Sequence, residues 1–157
     1  MPDQSRYQDA VIDMLVVCPL FDRFAPQELQ YAAPYFHLEN IPQGGEVFRE
    51  GDAGTFMGVV HEGKVAVLKA DSDNQPVRVA MLQRGKIFGE MAVIDGERRS
   101  ASCVAETPCT LLTLSKDSLD KMVEAHPKIA ARVIRALAMS LSRRLRMVDF
   151  QLADHQL

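Results

Sequence analysis

Glu90 and Arg99 stand nine residues apart in Lys86-Ile87-Phe88-Gly89-Glu90-Met91-Ala92-Val93-Ile94-Asp95-Gly96-Glu97-Arg98-Arg99-Ser100-Ala101-Ser102, and their side chains suit two different groups of one ligand. The guanidinium of Arg99 is a planar fork of donors matched to two phosphate oxygens, and Ser100 adds a hydroxyl beside it. A strand ends at Phe88, Gly89 frees the backbone to turn, and residues 90–94 are long enough for one helical turn before Asp95-Gly96 breaks it. Backbone N–H groups at such a start point outward with partial positive charge and receive an anion. A carboxylate there, Glu90, repels that anion unless another group uses it, and a ribose-type hydroxyl is a natural donor to it. Ala101 keeps the next position small, as close ligand approach requires. The set predicts a pocket for one phosphate and one sugar hydroxyl. The plainer alternative is a turn in which Glu90 and Arg99 form an ordinary ion pair with each other.

Such a pocket needs a framework that returns residue 99 to the side of residue 89. From Tyr35 to Ser115, short β-favouring runs alternate with breaks at Gly44-Gly45, Gly51-Asp52, Gly54, Gly63, Gly85 and Gly96. Strands punctuated this way predict a β-roll or jelly-roll barrel of about eight short antiparallel strands. Met57-Gly58-Val59-Val60-His61 and Lys64-Val65-Ala66-Val67-Leu68-Lys69 form the clearest pair, with Glu62-Gly63 as the hairpin turn between them. Asp71-Ser72-Asp73-Asn74-Gln75-Pro76 reads as a polar turn at an exposed hairpin end, and further strands are expected at 77–82, 100–105 and 109–114.

Helices flank the strands. Tyr7, Val11, Met14 and Cys18 recur at steps of 4, 3 and 4, lining one helical face. Pro19-Leu20-Phe21 makes an apolar turn, Pro26 opens a second helix carrying Leu29, Ala32 and Ala33 on one side, and Pro34 ends it. Ser115 is placed to cap a helix with Leu119, Met122 and Val123, and Pro127 starts the last helix. Along it Ile134, Leu137, Leu141, Leu145, Val148 and Leu152 recur at steps of 3, 4, 4, 3 and 4, a near-heptad seam. A helix of about 20 residues, near 30 Å, is more than one small barrel easily covers, so the seam predicts a homodimer, the alternative being a stripe buried against the chain's own barrel. Arg132, Arg135, Arg143, Arg144 and Arg146 read as its solvated face, basic on an otherwise acidic chain. The fold class is therefore α+β: a β-roll over 35–115 with N-terminal helices over 6–33 and C-terminal helices over 116–125 and 127–150, one domain across residues 1–157.

The segment at 86–102 resembles the phosphate-binding cassette of the cyclic nucleotide-binding domain family, whose branches include bacterial catabolite activators, protein kinase A regulatory subunits and cyclic-nucleotide-gated channels. Glu50-Gly51-Asp52 and His61-Glu62-Gly63-Lys64-Val65 resemble its two earlier glycine landmarks, and Leu20-Phe21 with Ala25-Pro26-Gln27-Glu28-Leu29 resembles its N-terminal helices. The likeness covers residues 15–148. It implies that Glu90 accepts from the ribose 2′-hydroxyl and that Arg99 pairs with the exocyclic oxygens of the cyclic phosphate. Ser100 and the backbone N–H groups around Gly89, Met91 and Ala92 would complete the phosphate shell, with Phe88 and Ala101 beside it. One departure is Arg98, where the family often has proline, and it puts in question which of the two arginines serves the phosphate. Arg143, Arg144 and Leu145 fall level with the base-contacting stretch, where the catabolite activator branch has a Thr-Ser pair. Arg144 there either stacks on or donates to a purine, or is a solvated charge. Ser100 occurs with both cAMP and cGMP in the family; bacterial relatives favour cAMP.

The implied function is a non-catalytic sensor in which the C-terminal helices close over the bound base. Two alternatives stand beside it: the effector part of a DNA-binding regulator, and a ligand-free dimerising scaffold. Only nine residues follow Val148, and the net charge is −3, so no direct DNA binding is expected. The downstream protein partner has no signature. His37, His61, His126 and His155 form no ligand-spaced pair, so no metal site is expected. Cys18, Cys103 and Cys109 read as small packing side chains, too few near the N-terminus for the family's iron–sulfur branch. No nucleophile, base and orienting group stand in a recognisable arrangement. The apolar runs fall short of the roughly 18 residues of a membrane helix, and Met1-Pro2-Asp3-Gln4-Ser5-Arg6 lacks a signal-peptide layout, so a cytoplasmic protein is expected.

Overall fold

The computed structural model describes residues 2–156, and the side chains of residues 4–152. Helix α1 (Pro2–Val16) presents Val11 and Leu15 to the interior and ends before Cys18, which lies buried in the following turn rather than on the helix. Tyr7 is half-exposed, and its hydroxyl accepts from the Leu38 N–H at 2.8 Å. The Pro19–Phe21 turn is a single 3-10 turn, and α2 (Pro26–Ala32) runs into a second one over Ala33–Tyr35.

Eight strands follow: β1 (His37–Ile41), β2 (Glu46–Phe48), β3 (Phe56–Glu62), β4 (Val65–Ala70), β5 (Pro76–Leu82), β6 (Ile87–Phe88), β7 (Ser102–Ala105) and β8 (Cys109–Ser115). They form two four-stranded antiparallel sheets, β1-β8-β3-β6 and β2-β7-β4-β5. The fold is the expected α+β jelly roll. One pairing differs. β3 and β4 are not a hairpin: both edges of β3 are taken, by β8 (Phe56 opposite Ser115 through Glu62 opposite Thr110) and by β6, so Glu62-Gly63 carries the chain from one sheet to the other. The true hairpin is β4–β5, closed by Asp71, whose carboxylate accepts from the N–H groups of Asp73 and Gln75, both at 2.9 Å.

Because β3 and β8 are covered on both faces, they read as nearly unbroken apolar runs. Val60, Cys109 and Leu111 face the space between the sheets with Val65, Phe88, Cys103 and Ala105. Met57, Val59, Leu112 and Leu114 face outward onto a helical layer built from Val11, Leu15, Phe21, Leu29 and Phe36. Helix α3 (Glu90–Asp95) leads into β7, and α4 (Lys116–Ala125) is capped by the Ser115 hydroxyl, which accepts from the Ser118 N–H at 3.0 Å.

Helix α5 (Pro127–Gln156) has 30 residues, about 45 Å at 1.5 Å each. Its seam splits. Leu137 is fully buried within this chain alongside Ala130 and Val133, whereas Leu145, Val148 and Leu152 are 63%, 46% and 55% exposed. Of the stripe, Leu137 is used by the helical layer, Ile134 is partly open to solvent, and the last three residues stay exposed.

All three cysteines are buried and free. Burial pushes the Cys18 thiol up to about 11 and the Cys103 thiol to about 12, from an ordinary 9.0. The neutral thiol is the form the fold favours, so this contribution is whole below pH 9 and is lost as pH rises through 11 to 12. A disulfide reagent at pH 8 is expected to leave both thiols untouched in the folded protein and to modify them in denaturant; rapid native labelling of either would contradict the packing.

Candidate functional site

β6 pairs with β3 at Phe88 opposite Gly58, where the aromatic ring lies so close that a Cβ on Gly58 would fall 2.2 Å from Phe88 Cζ. Gly89 then takes a left-handed conformation, φ 70°, and opens α3. A Cβ there would sit 2.5 Å from Arg99 Nη1, so this glycine provides both the turn and room for the guanidinium. Gly96, also at φ 70°, closes the short helix through its N–H to Ala92 O at 2.8 Å.

The returning strand is registered by the Gly51-Asp52 loop. The Gly51 N–H donates to Arg99 O and the Arg99 N–H to Asp52 O, both at 2.8 Å, and Ala53 bridges Arg98. Successive side chains on an extended segment point to opposite sides. Arg98 therefore turns outward, donating from Nη1 to Gly51 O at 2.8 Å, and Arg99 turns inward, 5% exposed. It is Arg99, not Arg98, that the fold delivers to Gly89.

Arg99 Nη2 donates to Phe56 O at 2.5 Å and Nη1 to Gly89 O at 3.4 Å. Its guanidinium carbon lies 3.9 Å from the Phe48 ring centroid and 4.8 Å from that of Phe56. Nε is buried without a partner, and among the described residues no carboxylate pairs with this cation. Burial lowers its pKa from the ordinary arginine value. Arginine stays protonated at neutral pH regardless, so the site carries a positive charge that Asp52 feels at a distance but that no carboxylate contacts among the described residues.

Glu90 is 2% exposed, and its Oε1 accepts from Nη2 of Arg144, which reaches down from α5. The ordinary Glu90–Arg99 ion pair is thus not formed. Phe88 and Ala92 are buried, Ala101 is half-buried, Met91 is exposed, and Ser100 is exposed with its hydroxyl free of side-chain hydrogen bonds among the described residues. Arg143 is exposed and has no ion-pair partner among the described residues. Phe48 and Phe56, the aromatic walls of the guanidinium, were not singled out by sequence. Their position on either side of the Glu50-Gly51-Asp52 landmark is the signal that points to them. A cleft of about 340 Å³ between β1, β8 and the start of α4 shares Phe56 with this site but includes neither Glu90 nor Arg99. Among the described residues no cluster of three metal-ligating side chains occurs, and no helix is long and apolar enough to cross a membrane.

The chain as a whole is similar to known proteins. The chain is 37% identical over 134 residues to the cyclic AMP receptor protein of Thermus thermophilus, covering 85% of this chain and 60% of that protein. It is 33% identical over 117 residues to a cyclic nucleotide-gated potassium channel of Mesorhizobium japonicum, covering 74% of this chain and 31% of the channel. The crystal structure of a cyclic nucleotide-binding domain from Methylobacillus flagellatus superposes with a TM-score of 0.80 at 30% identity, covering 97% of this chain and 85% of that one. The chain spans about 60% of the length of the first of these relatives. The sequence profile of the cyclic nucleotide-binding domain matches residues 38–126, more than half of the chain and every element from β1 to α4, and on that match the chain belongs to the cyclic nucleotide-binding domain family.

Proposed function

We propose that this chain is a non-catalytic, cytoplasmic cyclic nucleotide sensor that prefers cAMP to cGMP. The observation that carries the reading is Arg99: a buried cation held by carbonyls and rings, with Nε unpaired and no carboxylate in contact with it among the described residues. The cyclic phosphate supplies the missing anion. Its exocyclic oxygens take the guanidinium, and the Ser100 hydroxyl with the N–H groups of Gly89, Met91 and Ala92 completes the shell. Phe88 and Ala101 bound the pocket. Glu90 accepts from the ribose 2′-hydroxyl, and the purine lies toward α5, where Arg144 and Arg143 form its cap. Closure of α4 and α5 over the base passes the signal to a downstream protein, with the ligand biasing closure only through its higher affinity for the closed form.

The exposed Leu145, Val148 and Leu152 support dimerisation through the distal half of α5. Similarity, at 25% identity over 142 residues, to a cAMP-activated global transcriptional regulator of Mycobacterium tuberculosis supports a second reading, in which the same sensor serves as the effector part of a DNA-binding regulator. Calorimetric titration with cAMP and cGMP tests the main reading: saturable heat from cAMP with weaker binding of cGMP is expected, from a sample that sediments as a dimer. Heat from neither nucleotide would leave a dimerising scaffold in its place.

A further inference from the structure

One oxygen of the carboxylate that the sugar needs, Oε1, is already in use. Arg144 covers Glu90 from α5, and the Glu90 side chain retains only 3% of its exposure beneath it, while Arg144 itself keeps 51%. A hydroxyl arriving from solvent cannot reach the carboxylate face that the guanidinium occupies until the guanidinium moves. Arg144 lies far along α5 from the points that fix the helix, which are Ala130, Val133 and Leu137 in the core and the Arg132–Glu28 pair at 2.9 Å. The proximal half is anchored; the distal half meets the cassette through an arginine that is itself half-exposed.

We propose that the ribose 2′-hydroxyl and Arg144 compete for Glu90, so that nucleotide capture exchanges the α5–cassette ion pair for an α5–ligand contact. The inference rests on the nucleotide reading above and adds a regulatory step to it. Linkage makes the competition reciprocal: whatever holds α5 against Glu90 weakens nucleotide binding, and nucleotide weakens that hold by the same factor. Arg144 is thus a positioning residue for α5, and the 2′-hydroxyl is the ligand group that dislodges it.

The test is a cycle on two chemical groups. Dissociation constants for cAMP and 2′-deoxy-cAMP are measured on wild type, Arg144→Gln and Arg144→Lys. Any contact of Arg144 with the purine is common to both ligands and cancels in their ratio. In the wild type the hydroxyl gains Glu90 but must displace the guanidinium; in Arg144→Gln it gains Glu90 without a charged competitor. The deoxy-to-ribo ratio is expected to rise at least about threefold in Arg144→Gln and to return toward the wild-type value in Arg144→Lys. An unchanged ratio overturns the exchange alone. A ratio that falls in Arg144→Gln also overturns it, because Arg144 would then be orienting Glu90 for the sugar. Binding of neither ligand to any of the three proteins sinks the nucleotide reading, and the exchange with it.

Discussion

Arg99→Ala is expected to weaken cAMP binding by about ten- to a hundredfold while leaving the fold as stable as before, or slightly more stable. The two halves of this expectation come from the same geometry. Hydrogen bonds to charged groups are worth about 1.5–3 kcal/mol each, and the bidentate arginine–phosphate pair is among the stronger ones. Losing it corresponds to roughly one to two powers of ten in dissociation constant. Stability behaves differently because the protein gives Arg99 no carboxylate, only two carbonyls and two aromatic faces. Removing a buried cation without a partner relieves its desolvation cost and offsets the lost packing. Calorimetry and urea denaturation on the same variant separate the two effects. Arg99→Lys keeps the charge but not the fork, and binding between those of wild type and alanine is expected. Equal affinity in wild type and Arg99→Ala would remove the phosphate role from this residue.

Phe21→Ala is expected to cost about 3–5 kcal/mol of folding stability. Phe21 is 2% exposed and forms edge-on contacts with Phe24 and Phe36 at centroid distances of 5.0 and 5.7 Å. The 3-10 turn that carries it is also a floor on which α5 packs. Truncation therefore opens a cavity under the helix as well as losing apolar contact. Domains of this size hold only about 5–15 kcal/mol in all, so the variant sits near the edge of folding. The urea midpoint should fall sharply with an unchanged slope; a loss under about 1 kcal/mol would show that the helical layer repacks freely around the gap.

How much of this was legible depends on how local the deciding contact is. The left-handed turn at Gly89 and the brevity of α3, which Gly96 closes, follow from residues adjacent in sequence. The choice between Arg98 and Arg99 is different: it depends on hydrogen bonds from Gly51 and Asp52, which set the register of the returning strand. The β3–β4 hairpin misled for a similar reason. Its local pattern is good, but β8, 50 residues further on, competes for the same edge and wins with six cross-strand partners. The seam of α5 was visible as a period, yet periodicity does not say which half is covered by the chain's own core. The contact of Arg144 with Glu90 joins partners 54 positions apart, and no local rule points to it.

The carbonyls of Phe56 and Gly89 and the two flanking rings also bear on the kinetics of recognition. A long arginine side chain ordinarily surrenders considerable rotamer freedom when it grips an anion, and that loss is charged against affinity. Here the loss has already been incurred during folding. On the proposed function, an arriving phosphate would meet a donor fork of fixed orientation, so encounter would not wait for a conformational search by Arg99, and tight capture would be compatible with rapid sampling of a fluctuating second messenger.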